Sequence, residues 1–426
     1  MTDSIARAVA QLFDSRMNRR DVFRIAGLTA VASASNFSPL VRSVYAQDKK
    51  AASLVIAGKS DALIVHNDRT GVLETPLDLL REHQITPPDI LYVRNNQILE
   101  PEGRTLDGVP LEGWMIELGG TVAFPRVIDA SMLAGLPQTE VTMVLQCSGN
   151  GRSFYARTVK TRGTQWAHGG MGNVTFAGPK LADVLATFDP PLNPRDEVRY
   201  VTAEGADKPP EGGKRPDFEH SLPLHDVMDR AILAIRMNGA PLPGAHGGPV
   251  RLVVPGYYGT MNIKWLSRLR FDVEQTNNVN QIPRYRIPND PIEPGSPIKY
   301  TFENSTPDWR QRIKSVIFSP LNDASLPAGQ VEVSGVAWGG NPGGVTAVHV
   351  STNDGVTWHR ASLTSPHGEY GWHEFKIRVT LPAGNSRIWS CAFDPVGNAQ
   401  PMNGSIRWNP SGYEWHGADY VDVTVT

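Results

Sequence analysis

The sequence predicts a β-rich α+β chain whose last part is an immunoglobulin-like β-sandwich. Three observations predict it. Forty glycines and 34 prolines in 426 residues cut the chain into short segments separated by turns. Only three stretches read as helices. From about Lys314 onward, period-two apolar alternation recurs with turn residues between the runs, the pattern of a sandwich.

The first segment, 1–46, stands apart. Arg19 and Arg20 precede a mildly apolar run from Ile25 to Val41, and Val44, Tyr45 and Ala46 fit a small-residue cleavage site. This resembles a twin-arginine export signal, with Val22 and Phe23 where the usual pattern has Phe and Leu. It implies a bacterial periplasmic address and a protein exported already folded around a cofactor. Its removal leaves 35 basic and 40 acidic residues, a net charge of −5.

Residues 47–75 are mixed and are expected to wrap the surface of a first domain, 52–276. Within that domain Pro76–His83, Lys180–Thr187 and Leu224–Arg230 read as helices, the first with Thr75 as N-cap and Pro76 at its first position. Thr276–Pro297 is polar and proline-rich and opens a surface connector, 277–313. The sandwich is expected over 314–426. Val331 and Val333 alternate against Glu332 and Ser334, and Asp354-Gly355 signals a tight turn. Without a Cys…Trp…Cys staple it is no antibody-type domain, and its expected role is support or dimerisation. Cys391, in one of its strands, reads as a buried small hydrophobe.

Composition narrows the function classes. The chain is 40% hydrophobic and 20% charged, ordinary for a globular protein. A formal net charge of −2 gives no strong field for nucleic acid. No apolar stretch after the first segment reaches the length of a membrane span. Two cysteines are too few for a disulfide scaffold, a paired-cysteine zinc site or an iron–sulfur cluster, and no C-x-x-C-H motif offers haem attachment.

One of those cysteines is oddly placed. VTMVLQ, a strand-like run, ends at Cys147, and Ser-Gly-Asn-Gly turns the chain before Arg152. The glycines allow close approach of a ligand to backbone N–H groups. Taken alone, the pattern equally fits a buried cysteine beside an ordinary turn. Other segments add cations. LYVRNN sets Arg94 in an apolar, strand-like run, where a half-buried guanidinium needs an anionic partner. HGGPVRLVVPGYYGTMNIKWL gathers His246, Arg251 and Lys264 around glycine-rich turns, a set suited to a phosphate or pterin ligand.

LYVRNN, QCSGNGRS, GTQWAHGGMGNVTFAGPKLADVL and HGGPVRLVVPGYYGTMNIKWLSRL, in this order, resemble the sulfite oxidase family of molybdenum enzymes. The resemblance covers nearly all of the chain after the export segment. It implies a molybdopterin domain followed by an immunoglobulin-like dimerisation domain, hence a homodimer, and a molybdenum–molybdopterin cofactor. Cys147 matches the metal-ligating cysteine, a soft thiolate suited to that metal. Arg94 and Asn95 match the family's Arg-Asn pair, and Arg152 matches a substrate-site arginine. Asp207, His246, Arg251, Asn262, Ile263 and Lys264 match pterin-binding positions. NQIPRY resembles Trp-Gln-x-x-Asp-Tyr, which makes Tyr285 the expected active-site tyrosine. Three positions depart from the family: Asn96 replaces a histidine, Arg284 an aspartate, and Ser411 a third substrate arginine, with Arg407 close by in sequence but not aligned.

The implied reaction is sulfite plus water to sulfate, two protons and two electrons. Arg94 and Arg152 would bind the oxyanion, and Tyr285 would hydrogen-bond the reacting oxygen or the product. The electrons are expected to pass to a separate partner, a periplasmic c-type cytochrome. A sulfane dehydrogenase subunit, acting on carrier-bound sulfur, shares this site and tolerates the loss of the third arginine. A sulfoxide reductase of related fold lacks the QCSGNGRS context. A non-catalytic immunoglobulin-like binding protein would need neither Cys147 nor the export segment.

Overall fold

The computed structural model describes residues 56–208, 217–402 and 406–426. The export segment, its cleavage site and the start of the expected first domain lie outside the described residues.

The three helices are where the sequence puts them, each about two turns or less: Leu77–Leu80, Leu181–Ala186 and Leu224–Arg230. The first is capped differently from expectation. Pro76 is the N-cap, and the hydroxyl of buried Thr75 donates to Ile90 O at 2.7 Å. A hydroxyl taken out of water needs a partner, and Ile90 O is the one in reach.

Among the described residues, the two largest sheets of the first part of the chain have five and four strands. One orders Arg126–Asp129, Met115–Gly120, Leu266–Asp272, Tyr200–Gly205 and Glu219–Pro223, with a parallel pair between Met115–Gly120 and Leu266–Asp272. The other orders Ala240–Pro241, Arg236–Met237, Met171–Gly178 and Thr139–Gln146. Thr139–Gln146 pairs with Met171–Gly178 along its whole length, from Thr139↔Gly178 to Gln146↔Met171. Its last four residues, Met143 to Gln146, are buried, which is why VTMVLQ reads as an apolar run rather than an alternation. That buried end delivers Cys147.

Three expectations need correction here. The stretch from Ile56 to Thr75 is not a surface wrap: Ile56, Leu63 and Leu73 close an apolar cluster with Val93 and Ala245. LYVRNN is not a regular strand; Val93 makes an isolated bridge to Leu73, and Arg94 to Asn96 run on without pairing. The connector is not wholly superficial, because Gln281, Tyr285, Arg286 and Asp308 are buried. Two of its buried polar side chains are bonded: Gln281 Oε1 accepts from Ser221 N of the sheet at 3.1 Å, and Arg286 Nε donates to Ser305 Oγ within the connector at 2.7 Å.

The last part is the expected sandwich. Lys314–Ser319, Gly329–Trp338, His373–Leu381 and Ser362–Leu363 form one sheet. Ala324–Leu326, Asp419–Val425, Gly384–Phe393, Ala347–Ser351 and His359–Arg360 form the other. Their inner faces share one apolar core that includes Val333, Val348, Phe375 and Ile388. Cys391 packs with Trp389 and Ala418 as a buried hydrophobe. The outside of the first sheet supports the cysteine strand. Val144 and Met171 pack with Val316, Phe318, Val336, Trp338 and Trp372. Trp338 Nε1 donates to Gln146 Oε1 at 2.8 Å, and Gln311 Nε2 to Val144 O at 2.8 Å. Among the described residues, no helix is long and apolar enough to cross a membrane.

Candidate active site

Cys147 sits at the foot of a cavity lined also by Arg94, Asn95, Asn96, Asp207, His246, Arg251, Asn262, Lys264 and Tyr285. Segments far apart in sequence meet here because the end of Thr139–Gln146, the LYVRNN run, the 244–265 turns and the connector converge on one face. Burial pushes the Cys147 thiol up, while Arg94 and Arg152 pull it down. Among the described residues, no group of three or more His, Cys, Asp or Glu side chains is gathered as a metal site. Cys147 is a free thiol at the wall of a cavity that also presents Arg94, Arg251 and Lys264.

The Ser-Gly-Asn-Gly turn directs one backbone amide, that of Gly149, to the Cys147 sulfur and keeps the following ones within the protein. Asn150 N donates to Cys147 O, Gly151 N to Ala167 O and Arg152 N to Gly149 O, so these amides are used within the protein. The glycines make room for side chains. A Cβ on Gly149 would lie 2.7 Å from Arg152 Nη1, and one on Gly151, which has φ +88°, would lie 2.5 Å from Trp415 Cδ1.

The expected pterin-binding residues divide by how their polar atoms are used. Arg251 donates to three carbonyls, Asn262 O at 2.9 Å, His246 O at 2.9 Å and Gly259 O at 3.4 Å. It folds the loop that frames the cavity, and burial lowers it to about 10. Asn262 accepts from Val254 N at 2.7 Å and donates to Tyr257 O and Tyr258 O, which leaves its side chain no spare group. Lys264 bonds Asn95 Oδ1 and, at 2.9 Å, Ala245 O; burial pushes its ammonium well below the ordinary value, and Arg251 adds to that. Asn95 Nδ2 donates to Thr70 O at 2.8 Å. Burial pushes Asp207 up to about 8, against the pull of Lys264. Ile263 is not brought to the cavity. Its side chain lies in the main core cluster, because alternate residues of this short run face opposite ways.

The substrate-side residues form a continuous chain of contacts. Arg94 Nη2 donates to Asn96 Oδ1 at 2.6 Å, and Nη1 to Asn95 O. Asn96 Nδ2 donates to the Tyr285 hydroxyl at 2.8 Å. Tyr285, held at φ +52°, stacks on Tyr413 with centroids 5.1 Å apart and planes 18° apart. The Arg152 guanidinium lies over the Tyr413 ring at 5.2 Å. Arg152 Nε donates to Ser411 O and Nη1 to Thr164 O, both at 2.7 Å. Arg152 lies beside the cavity rather than in its lining. Neither Arg94 nor Arg152 forms an ion pair with a described carboxylate.

Two residues escaped the sequence reading. Lys59 is buried and bonds His246 Nε2 at 2.9 Å, Leu91 O at 2.5 Å and Pro88 O. It sits behind His246; burial presses the Lys59 ammonium itself well below its ordinary value, and burial together with Lys59 presses the His246 imidazole well below its own. Nothing in KSDAL signals burial. Tyr413 follows Ser411 by two residues in an otherwise unremarkable loop, and only the spatial stack on Tyr285 reveals it. The sandwich half therefore does more than support: its 406–417 loop supplies Ser411 O and Tyr413 to the site.

These donors fit a metal carried on an anionic organic group. Of the side chains lining the cavity, Arg94, Arg251 and Lys264 are cationic types, while Asp207 is the one carboxyl and is largely protonated at neutral pH. Basic side chains gathered in such excess over carboxyls suit an anion such as a phosphate. The Cys147 sulfur would supply one soft bond to such a metal and leave the remaining ligands to the organic group.

Comparison with known proteins agrees with this chemistry. Residues 105–280 match the oxidoreductase molybdopterin binding domain, and residues 306–419 the Mo-co oxidoreductase dimerisation domain. The mitochondrial sulfite oxidase of Homo sapiens is 31% identical over 371 residues, 83% of this chain and 65% of that protein, so the chain spans just under two thirds of its length. The sulfite oxidase of Gallus gallus is 30% identical over 372 residues, covering 83% of this chain and 77% of that protein. That of Arabidopsis thaliana is 27% identical over 370 residues, 80% of this chain and 90% of that protein. The solved sulfane dehydrogenase SoxCD of Paracoccus pantotrophus shares the fold, with a TM-score of 0.69, 23% identity and coverage of 97% of this chain and 96% of that one. The chain carries a molybdopterin binding domain followed by a dimerisation domain and belongs to the sulfite oxidase family, with a molybdenum–molybdopterin cofactor.

Proposed function

We propose that this protein oxidises sulfite to sulfate in the periplasm and passes the electrons, one at a time, to a separate c-type cytochrome. The observation that carries the reading is the convergence of Cys147, Arg94 and Tyr285 on one cavity, with Arg152 beside it. Cys147 would hold the molybdenum, and Lys264, Arg251, His246 and Asn95 would frame the pterin end. When bound, the cofactor supplies the two-electron acceptor and the oxygen that is transferred.

The chain's own residues do the rest. Arg94 uses two of its N–H groups on Asn95 and Asn96 and keeps others for an oxyanion. Arg152 is fixed by two carbonyls and a ring, so its fork is oriented before substrate arrives. Tyr285 is placed to hydrogen-bond an oxygen of substrate or product. The export segment supports the periplasmic address, and the dimerisation domain supports a homodimer.

A second reading is favoured by Ser411. Where the family has a third arginine, this chain offers a backbone carbonyl to Arg152. A site with one cation fewer suits sulfane sulfur bound to a carrier protein. Molybdenum-loaded enzyme assayed with ferricyanide or a c-type cytochrome decides between them. Rapid saturable turnover of free sulfite establishes the first reading. Poor sulfite turnover with activity on protein-bound persulfide moves the function to sulfane dehydrogenase.

A further inference from the structure

We propose that Asn96 is a positioning residue that forces the Tyr285 hydroxyl to act as a hydrogen-bond donor into the cavity and ties Arg94 to that tyrosine. The inference rests on the sulfite reading and deepens it.

The argument is one of hydrogen-bond direction. A guanidinium only donates. Arg94 Nη2 lies 2.6 Å from Asn96 Oδ1, so this atom of the amide is the acceptor. The other end of the amide is then its NH2 group, which only donates. It lies 2.8 Å from the Tyr285 oxygen, which must accept. The phenolic hydrogen is thereby left for the cavity, where an oxyanion receives it. The backbone is set to the same end: Tyr285 is held at φ +52°, with its carbonyl accepting from Asp308 N at 3.1 Å. An amide does not titrate, so the orientation is independent of pH. Of the charged or titratable groups that line the same cavity, Arg94, Arg251, Lys264, Asp207, His246, Cys147 and Tyr285, the Asn96 amide bonds Arg94 and Tyr285, so the others leave that logic unchanged.

Side chains of other chemistry at this position behave differently. A carboxylate accepts from both neighbours and draws the Tyr285 hydrogen away from the cavity. A neutral imidazole accepts from Arg94 and donates to Tyr285; an imidazolium has no acceptor for Arg94.

The test uses molybdenum-loaded full-length protein and the variants Asn96→Leu, Asn96→Asp and Asn96→His, with molybdenum content measured for each. Two readouts are taken: sulfite kcat/KM, and the Kd of inorganic sulfate from tyrosine difference absorption. Asn96→Leu and Asn96→Asp are expected to weaken sulfate binding about tenfold and to lower kcat/KM at least as much, the scale of one hydrogen bond to an anion. Asn96→His is expected to approach wild type at pH 8 and to gain an acid limb near or below about pH 6.5, the ordinary imidazole value. The wild type lacks that limb. If Asn96→Leu loses molybdenum, the pH profile of Asn96→His alone decides. Unchanged sulfate Kd and kcat/KM in Asn96→Leu, or the absence of a new acid limb in Asn96→His, overturns the bridge while the sulfite reading stands. A wild-type protein that neither oxidises sulfite nor binds sulfate overturns both.

Discussion

The main-chain carbonyl of Ser411 accepts a 2.7 Å hydrogen bond from Nε of Arg152. The position where the resemblance leads one to expect a third arginine thus serves here to hold Arg152. The serine side chain takes no part in that bond, but its neighbour matters. Gly412 has φ +59°, and a Cβ on it would lie 2.6 Å from Arg152 Cγ. Ser411→Ala should leave sulfite kcat/KM within about twofold, as surface-type changes do. Gly412→Ala should raise KM about tenfold and destabilise by about 1–3 kcal/mol, since it adds both overpacking and strain. Steady-state kinetics and thermal unfolding of the two variants check this.

Cys147 and the basic frame of the cavity carry separable tasks. Arg251 and Lys264 are fixed by bonds to Asn262, His246, Ala245 and Asn95, none of which involves the thiol. Cys147→Ser should therefore lower turnover by about a thousandfold, ~4 kcal/mol of barrier, while pterin is retained. Molybdenum analysis together with fluorescence of the released, oxidised pterin measures the two separately. A Cys147→Ser enzyme with near-normal turnover would refute the ligand assignment.

Much of this was legible in the sequence because it depends on local pattern. The apolar VTMVLQ run ending at Cys147, the period-two strands after Lys314 and the three short helices are set by chemistry within a few residues of each other. What was not legible depends on distant partners. Lys59 is committed by carbonyls at Pro88 and Leu91 and by His246, and Tyr413 by a ring 128 positions earlier. Asn262 and Ile263 show the reverse case. Motif matching marks both as ligand contacts, yet one amide is spent on its own loop and the other side chain faces the core.

His416 gives the stability a pH dependence of known sign. It is half-buried, its Nδ1 bonds Glu414 O at 2.6 Å, and desolvation lowers its pKa to about 4. The unfolded chain has the ordinary value near 6.5. Between those values the unfolded state binds the extra proton, so stability rises with pH from about 4 to about 6.5 and is lost on acidification through that window. The full span corresponds to roughly 3 kcal/mol. Other buried groups titrate in the same range; Asp207, raised to about 8, acts in the opposite sense. They cancel in a difference. Wild type minus His416→Gln, measured by urea unfolding at pH 7 and pH 4.5, should show most of this slope, because the variant lacks it. Equal slopes in the two proteins would show that His416 is not held neutral.

Tyr413 carries the last prediction. One face stacks on Tyr285 at 5.1 Å and the ring also meets the Arg152 guanidinium at 5.2 Å. Its backbone is pinned on both sides: Tyr413 N donates to Asn409 Oδ1 at 3.0 Å, and Tyr413 O accepts from Tyr155 Oη at 2.8 Å and Asn409 Nδ2 at 2.9 Å. The ring is therefore a fixed wall between the arginine and the tyrosine of the site. A cation over an aromatic face contributes about 0.5–2 kcal/mol, and a stacked pair about 0.5–1.5 kcal/mol. Tyr413→Phe keeps both contacts and should stay within about threefold of wild type in kcat/KM. Tyr413→Leu loses both and should fall by about tenfold to a hundredfold, mainly through KM, because a loosened Arg152 weakens anion binding before it alters chemistry. Arg152→Lys tests the same wall from the other side. An ammonium cannot reproduce the fork held by Ser411 O and Thr164 O, so a loss comparable to that of Tyr413→Leu is expected. If Tyr413→Leu and Arg152→Lys act through one shared placement, the double variant should lose little more than either single one. Additive losses would mean that the ring and the guanidinium work independently.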